Sequence, residues 1–130
     1  MTFIAVNTIQ SGHKTVTIMT DAARFTAGQI VATPGALELL HKHGVSPVFL
    51  IARHIQGEWG DCHPDDAVLN EQAIQDGSRI MSVYRLVSQE LIDATPRHKR
   101  SDLPTVWCIT DATNEMGIRE VSTLLLPQDY

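Results

Sequence analysis

Three side chains in one short stretch have the types that acid–base catalysis requires. His54, Glu58 and Asp61 lie within the segment Arg53–Asp61. A histidine near a carboxylate is a common general base, because the carboxylate orients the imidazole and stabilises its charged form. Asp111 is a further candidate for the orienting carboxylate. One hypothesis is therefore a small hydrolase or nuclease-like enzyme that acts on a nucleotide or a phosphorylated substrate through His54 and Asp61.

The remaining sequence does not select a nucleophile for such an enzyme. It contains no Gly-x-Ser-x-Gly elbow, no glycine-rich phosphate loop and no His-Glu-x-x-His pair. A histidine next to a buried helical stripe is more often a helix-surface residue that is hydrogen-bonded near the helix end. An acid such as Asp61 is more often a capping or loop residue. These ordinary roles for His54 and Asp61 favour a protein without catalytic activity.

Metal binding is a second kind of chemistry to consider, because five ligand-type residues fall in a short span: His41, His43, His54, Cys62 and His63. Residues two apart on a helix point in nearly opposite directions, so His41 and His43 could not share an ion within a helix. Zinc sites of four ligands normally contain two close pairs, and Cys62-His63 is the only further close pair here. We therefore expect no metal and no cofactor.

Acidic residues are concentrated in the middle of the chain. The formal net charge is only −5, but the segment between Ile55 and Ser78 contains no lysine or arginine. Its acids are Glu58, Asp61, Asp65, Asp66, Glu71 and Asp76. This pattern predicts a negative face that binds a protein partner. The candidate binding residues on it are Glu58, Trp59, Asp61, Asp65 and Asp66, with Trp59 as a core or interface anchor and the three aspartates exposed.

A basic run, Arg97-His98-Lys99-Arg100, lies between Pro96 and Pro104. We predict that it belongs to a long loop between two strands, longer than a hairpin needs. Such a loop is either a solvated, mobile excursion or a basic finger in which Arg97, Lys99 and Arg100 contact a phosphate or an acidic partner. Because the whole chain is acidic, nucleic acid is expected as a partner only through this loop.

The sequence also bears on the compartment. No apolar stretch approaches the length of a membrane-spanning helix, and Met1–Asn7 lacks the positive start and long apolar run of a signal peptide. We expect a cytoplasmic protein that does not bind a membrane. Cys62 and Cys108 are expected to be reduced thiols, because two distant cysteines form neither a disulfide framework nor a paired zinc site. The sequence leaves the oligomeric state open.

Local signals place the elements of a single α+β domain over residues 1–130. Capping residues followed by proline, Thr33-Pro34 and Ser46-Pro47, predict helices at about 34–43 and 47–56. The other predicted elements are an N-terminal hairpin of Thr2–Asn7 and Lys14–Met19, a short run at Gln29–Ala32, a third helix at Pro64–Gln75, and strands at Arg79–Val87, Val106–Thr110 and Val121–Leu126. We predict an antiparallel β-sheet, formed by a C-terminal three-strand meander and the N-terminal hairpin, packed with two or three short helices.

The second predicted helix has the clearest buried face. Val48, Ile51, Ala52 and Ile55 fall at the i, i+3, i+4, i+7 spacing of a helical stripe. Trp59 follows this helix closely, and an indole ring needs apolar surface to pack against. We therefore predict that Trp59 is buried against this helix.

An ordered series of motifs between residues 28 and 130 resembles a family of small bacterial proteins. The motifs are Gly28–Leu37, Arg53-His54, Gly57–Asp61, Asn70-Glu71, Arg79–Tyr84, Trp107–Ala112 and Thr123–Pro127 with Tyr130. Members of the family are carried on plasmids and integrating elements. They are usually labelled plasmid-related protein, and sometimes type I restriction endonuclease subunit M. The resemblance implies a mobile-element accessory protein and supplies no catalytic residues.

The chain departs from this family in two segments. Residues 1–25 form an N-terminal extension to the family-like core of residues 28–130, and residues 88–103 resemble an insertion in an otherwise tight hairpin. Asp111 and Arg119 are also farther apart than in the family, which argues against a joint role. If a hairpin brings the two residues face to face, we expect a cross-strand ion pair. With the acidic face, the setting that the resemblance implies favours a non-enzymatic protein-binding module. Our leading hypothesis is an inhibitor of a host restriction or CRISPR defence complex.

Overall fold

The computed structural model describes the backbone of two strands near the N-terminus and residues 22–130 in full. The strands are β1 (Phe3–Ile9), β2 (Lys14–Met19), β3 (Gln29–Ala32), β4 (Ile80–Arg85), β5 (Thr105–Thr110) and β6 (Val121–Leu125). The α-helices are α1 (Pro34–Lys42), α2 (Pro47–Ile55), α3 (Pro64–Asp76) and α4 (Gln89–Ala94), and 3-10 helices span Arg97–Asp102 and Pro127–Asp129. The fold class is α+β, as predicted.

The sheet is mixed, with the strand order β2-β1-β3-β6-β5-β4. The predicted C-terminal meander is confirmed, because β4 pairs with β5 and β5 with β6 in antiparallel fashion. The backbones of β1 and β2 are also antiparallel, while the turn predicted at Gln10–His13 lies outside the described residues. The sheet differs from the predicted antiparallel one in being mixed, because β3 runs parallel to both β1 and β6. No hairpin joins β3 to β6, so local turn geometry does not set their relative direction.

The first two helices begin where their capping residues predict. The Thr33 hydroxyl accepts a hydrogen bond from the backbone N–H of Ala36 at 3.2 Å, and Pro34 is the first helical residue. Ser46 precedes α2 in the same position, although its side chain makes no capping bond. The third predicted helix is confirmed with one more residue, and Gly77 ends it in the left-handed conformation, at φ 82°.

The segment predicted as a long loop is folded. Residues 88–103 contain α4 and the 3-10 helix Arg97–Asp102. The Ser88 hydroxyl caps α4 by accepting from the Leu91 N–H at 3.2 Å, and Ile92 buries its side chain. The prediction of a mobile excursion was therefore wrong, because these contacts and those of Arg100 described below hold the segment against the rest of the domain.

Buried side chains form two clusters. The larger lies between the first two helices and the sheet and includes Leu40, Ile51, Ile55, Tyr84, Val106 and Leu124. The smaller contains Trp59, Cys62, Ala73, Ile80 and Val83. The prediction that Trp59 is buried is confirmed. Trp59 stacks on Phe25, with 6.2 Å between ring centroids, and meets α2 through His54, at 6.1 Å, whereas the stripe of α2 belongs to the larger cluster.

Candidate functional site

His54 lies at the centre of a buried hydrogen-bonded chain. Its Nδ1 is 2.6 Å from the Ser82 hydroxyl, and its Nε2 is 2.8 Å from the Thr110 hydroxyl. Thr110 is in turn 2.6 Å from the Ser122 hydroxyl, which donates to the Ala27 carbonyl at 2.7 Å. All four side chains are fully buried. This hydrogen-bonded network therefore links α2 to β4, β5, β6 and the segment that precedes β3.

The end of this chain fixes the direction of every bond in it. The single hydroxyl proton of Ser122 goes to the Ala27 carbonyl, so Thr110 must donate to Ser122. Thr110 then has no proton left for the imidazole, so Nε2–H of His54 donates to Thr110. In a neutral imidazole the other nitrogen is an acceptor, so Ser82 donates to Nδ1. The network thus assigns the Nε2–H tautomer of neutral His54.

Burial also keeps His54 neutral. Removal of the ring from water, with a smaller contribution from the positive charge of Arg119, lowers the pKa of His54 from 6.5 to about 3. The interpretation of His54 as a helix-surface residue was wrong, because His54 faces the core in the last turn of α2. A general base must reach the proton that it removes. His54 has no solvent-exposed surface through which a substrate could meet it.

Asp61 is surrounded by arginines. Its Oδ2 accepts from Arg85 Nε at 3.0 Å, and its Oδ1 accepts from Arg100 Nη1 at 2.7 Å, with Arg97 Nη2 at 3.6 Å. The Asp61 side chain is only 9% exposed. We call Asp61, Arg85, Arg97 and Arg100 the arginine cluster. The prediction that Asp61 is an exposed acid was wrong, because three cations enclose it.

The backbone around Asp61 holds it in this position. Its N–H donates to the Val83 carbonyl at 2.7 Å, and the Val83 N–H donates to the Trp59 carbonyl at 3.0 Å. Residues 59–61 thus run along β4 like a short extra strand. Gly60 makes this close approach possible, because a Cβ there would lie 2.0 Å from the Val83 carbonyl oxygen. The glycine next to Trp59 is therefore a structural requirement of the cluster.

The two oppositely charged surfaces predicted from the sequence meet within the molecule. Arg100 forms an ion pair with Asp61 of the predicted acidic face. It is therefore not part of a free basic finger. Arg97 is half-exposed and Lys99 is exposed, so these two remain accessible on the 3-10 helix. Of the six predicted acidic residues, all except Asp61 are exposed: Glu58, Asp65, Asp66, Glu71 and Asp76.

The proposed catalytic set is not assembled. Glu58 and Asp61 line one cavity of about 310 Å³, together with Trp59, and His54 does not line it. Within residues 22–130, no hydrogen bond or ion pair joins His54 to Glu58, Asp61 or Asp111. The carboxylate of Asp111 is not paired with Arg119 either. The predicted cross-strand ion pair was wrong, because Arg119 donates to the backbone carbonyl of Asp111, at 2.9 Å, and to those of Ala73 and Ser78.

Helix α3 presents two of its larger apolar side chains, Val68 and Leu69, to solvent, whereas Ile74 packs against the smaller cluster. Val68 is 57% exposed and Leu69 is 59% exposed. The buried positions of the helix are Asn70 and Ala73. Asn70 is committed to the fold, since its amide exchanges hydrogen bonds with both backbone groups of Met81. We call the exposed residues Asp65, Asp66, Val68, Leu69 and Gln72 the outer face of α3.

The remaining candidates are accounted for by packing. Cys62 and Cys108 are free and buried, and burial raises the pKa of both thiols. Trp107 is half-buried and meets the ring edge of Tyr130 at 5.7 Å between centroids. The described part of the chain contains no group of three or more His, Cys, Asp or Glu residues placed to hold a metal ion. Among its helices, none is long and apolar enough to span a bilayer.

Comparison of the chain with known protein families, with curated proteins and with solved structures gives no match. The function is therefore inferred from the geometry of this chain.

Proposed function

We propose that the chain is a non-enzymatic protein-binding module that uses the outer face of α3. The observation that carries the proposal is the orientation of this helix. Its packed side is made of Asn70, Ala73 and the partly buried Ile74, whereas Val68 and Leu69 are more than half exposed. A surface helix normally turns its larger apolar side chains to the core. Burying Val68 and Leu69 against a partner would contribute roughly 1–2 kcal/mol each.

The charge around these two residues defines the partner. Asp65 and Asp66 stand in the first turn of α3, and the helix contains no lysine or arginine. An apolar pair bordered by acids complements a protein surface that is apolar at its centre and basic at its rim. The partner class is thus a basic protein rather than a nucleic acid.

The sequence resemblance narrows the partners to test first. Plasmid-borne accessory proteins act in a host cell, and host restriction and CRISPR complexes have basic surfaces because they hold nucleic acid. Inhibition of such a complex through the outer face of α3 is the specific form of this proposal. The basic residues Arg97 and Lys99 would be secondary contacts, relevant only if the partner carries acidic groups or phosphate.

The enzymatic alternative has weaker support. It requires His54 and Asp61 to act on one substrate, yet His54 is enclosed by Ser82 and Thr110, and Asp61 is neutralised by its arginines. A buried histidine with both ring nitrogens bonded is a structural element of the core. We therefore retain the binding function as the conclusion.

The test is affinity capture followed by measured binding. Tagged protein is incubated with native-host lysate at low salt, captured proteins are identified, and the Kd of each purified candidate is determined. The double variant Val68→Ser/Leu69→Ser should weaken the specific partner at least about tenfold. Asp65→Lys/Asp66→Lys should slow association and reduce its salt dependence.

The matched controls make the same kinds of substitution at exposed positions outside α3. Leu91→Ser alters an exposed leucine of α4, and Glu38→Lys and Glu90→Lys reverse exposed acids of α1 and α4. These variants should bind as tightly as the parent. The proposal is rejected if no captured protein distinguishes the outer-face variants from the controls once each is shown to be folded by circular dichroism.

A further inference from the structure

Arg53 is a cation whose hydrogen-bonding capacity is unused within the described part of the chain. A guanidinium group has five N–H donors. The side chain of Arg53 makes no hydrogen bond or ion pair with any residue of the range 22–130, unlike Arg85 and Arg100. It is nevertheless held in place, because its Cζ lies 4.7 Å from the ring centroid of Tyr84 and 5.9 Å from that of Phe49.

This guanidinium stands at the wall of an apolar groove. The groove, of about 350 Å³, lies between α2 and the residues that follow β4, and its lining includes Val45, Phe49, Leu86 and Val87. Its two charged lining residues are Arg53 and Arg85, and no acid contributes to the lining that the structure describes. A volume of this size is in the range of small-molecule sites.

The two arginines do not contribute equally to the positive charge of the groove. Arg85 donates from Nε to Asp61 and from Nη1 to Thr105, so its charge is largely compensated. Arg53 has no such partner in the described residues and keeps its full charge at the apolar wall. Arg53 also lines the neighbouring polar cavity together with Glu58, but Glu58 forms no ion pair with Arg53 and does not line the groove.

We propose that this groove binds a small organic anion with an apolar or aromatic body. The planar fork of Arg53 would hold a carboxylate or phosphate through two parallel hydrogen bonds. The body of the ligand would lie against Phe49, which is 58% exposed, and against Val45 and Leu86. The site is on a different surface from the outer face of α3, so it is independent of the proposed protein-binding function.

The test uses three naphthalene probes that differ in the head group. 1-Naphthoate and 1-naphthyl phosphate supply the two anionic head groups, and 1-naphthalenemethanol is the neutral control. Ligands of this size bind in the millimolar range at ordinary efficiency. Titration is followed by amide chemical shifts of the isotopically labelled protein. Both anions, or the one whose head group fits, should shift the amides of Phe49, Val87 and Ser88, and the alcohol should bind at least about tenfold more weakly.

Variants decide whether Arg53 is the anchor. Arg53→Gln should raise the Kd of the anionic probe about tenfold or more and leave the alcohol unchanged. Lys42→Gln removes the same charge from the exposed end of α1 and should leave every Kd unchanged. If Arg53→Gln does not fold, Phe49→Ser replaces it, and this variant should weaken all three probes. Equal binding of the anions and the alcohol, equal binding by a folded Arg53→Gln, or no shift in the groove amides at millimolar probe overturns the proposal.

Discussion

Arg100 and Asp61 are 39 residues apart in sequence and are joined by a hydrogen bond of 2.7 Å between Nη1 and Oδ1. The same arginine donates from Nε to the Thr95 carbonyl at 2.9 Å. It therefore connects the end of α4 to the loop that carries Trp59. The segment 88–103, which looks like an insertion in the sequence, is attached to the domain through a carboxylate of the segment that the sequence marks as acidic.

Replacing Asp61 should destabilise the protein strongly. Asp61→Asn leaves Arg85 and Arg100 as largely buried cations without a counter-charge, and loss of one partner of such a group costs about 2–4 kcal/mol. The free energy of unfolding is measured by urea denaturation. Asp65→Asn is the matched control, because its side chain is 90% exposed and its loss should change stability by no more than about 0.5 kcal/mol. Equal stability of the two variants would mean that the arginine cluster does not hold the fold together.

Stability should decrease as the pH falls because of His54. Its folded-state pKa is lowered to about 3, so between about pH 3 and 6.5 the unfolded state binds a proton that the folded state does not. The free energy of unfolding then falls by about 1.4 kcal/mol per pH unit on acidification through this window. Because carboxylates contribute their own slope, parent and His54→Gln are compared at pH 7 and pH 5. The parent should show the steeper loss, and a parent slope no steeper than that of the variant would contradict the assignment.

Trp59→Ala should cost about 3–5 kcal/mol, since it opens a cavity among Cys62, Ala73, Ile80 and Val83. The indole N–H also donates to Glu71 at 3.3 Å. Unfolding is followed by far-ultraviolet circular dichroism, because the substitution removes a fluorophore. Met116→Ala, at a side chain that is 82% exposed, serves as control and should leave the denaturation midpoint nearly unchanged. An unchanged midpoint for Trp59→Ala would show that the indole is a surface anchor.

Gly60→Ala should destabilise the protein more than Gly44→Ala. Both glycines have positive φ, 72° and 66°, so both variants carry backbone strain of about 1 kcal/mol. Only at Gly60 would the new Cβ also meet other atoms, at 2.0 Å from the Val83 oxygen, whereas nothing lies within 4 Å at Gly44. We expect a total cost of about 3 kcal/mol or more at Gly60. Similar denaturation midpoints for the two variants would argue against the extra strand-like pairing of residues 59–61.

The parts of the fold that depend on local chemistry were predictable. Thr33-Pro34 and Ser46-Pro47 placed two helix starts correctly, because capping acts within one turn of the chain. The 3-10 helix Arg97–Asp102 was not predicted, because Asp61, which holds its Arg100, is distant in sequence. The parallel pairing of β3 with β6 was not predicted for the same reason, since almost the whole domain separates the two strands in sequence.

The candidate site was predicted less well, and for the same reason. The sequence marks Asp61 as one acid among six, and only the fold brings three arginines to it. The role of His54 had a weak signal, since Thr110 and Ser122 fall on strand faces whose other residues, Val106, Cys108 and Leu124, are apolar. The outer face of α3 had a weaker signal, because Val68 falls outside the i, i+3, i+7 spacing of Ala67, Asn70 and Ile74.

The buried hydrogen bonds around His54 also affect the register in which β5 and β6 pair. Thr110 lies directly opposite Ser122 in the pairing of β5 with β6. A slip of two residues would keep every side chain on its own face of the sheet, so hydrophobic patterning alone does not oppose it. One such slip places Thr110 opposite Leu124, and the other places Cys108 opposite Ser122. Either slip would leave a buried hydroxyl without its hydrogen-bond partner, which would cost about 1–3 kcal/mol of stability. Polar groups in the core thus discriminate between alignments that aliphatic side chains would accept equally.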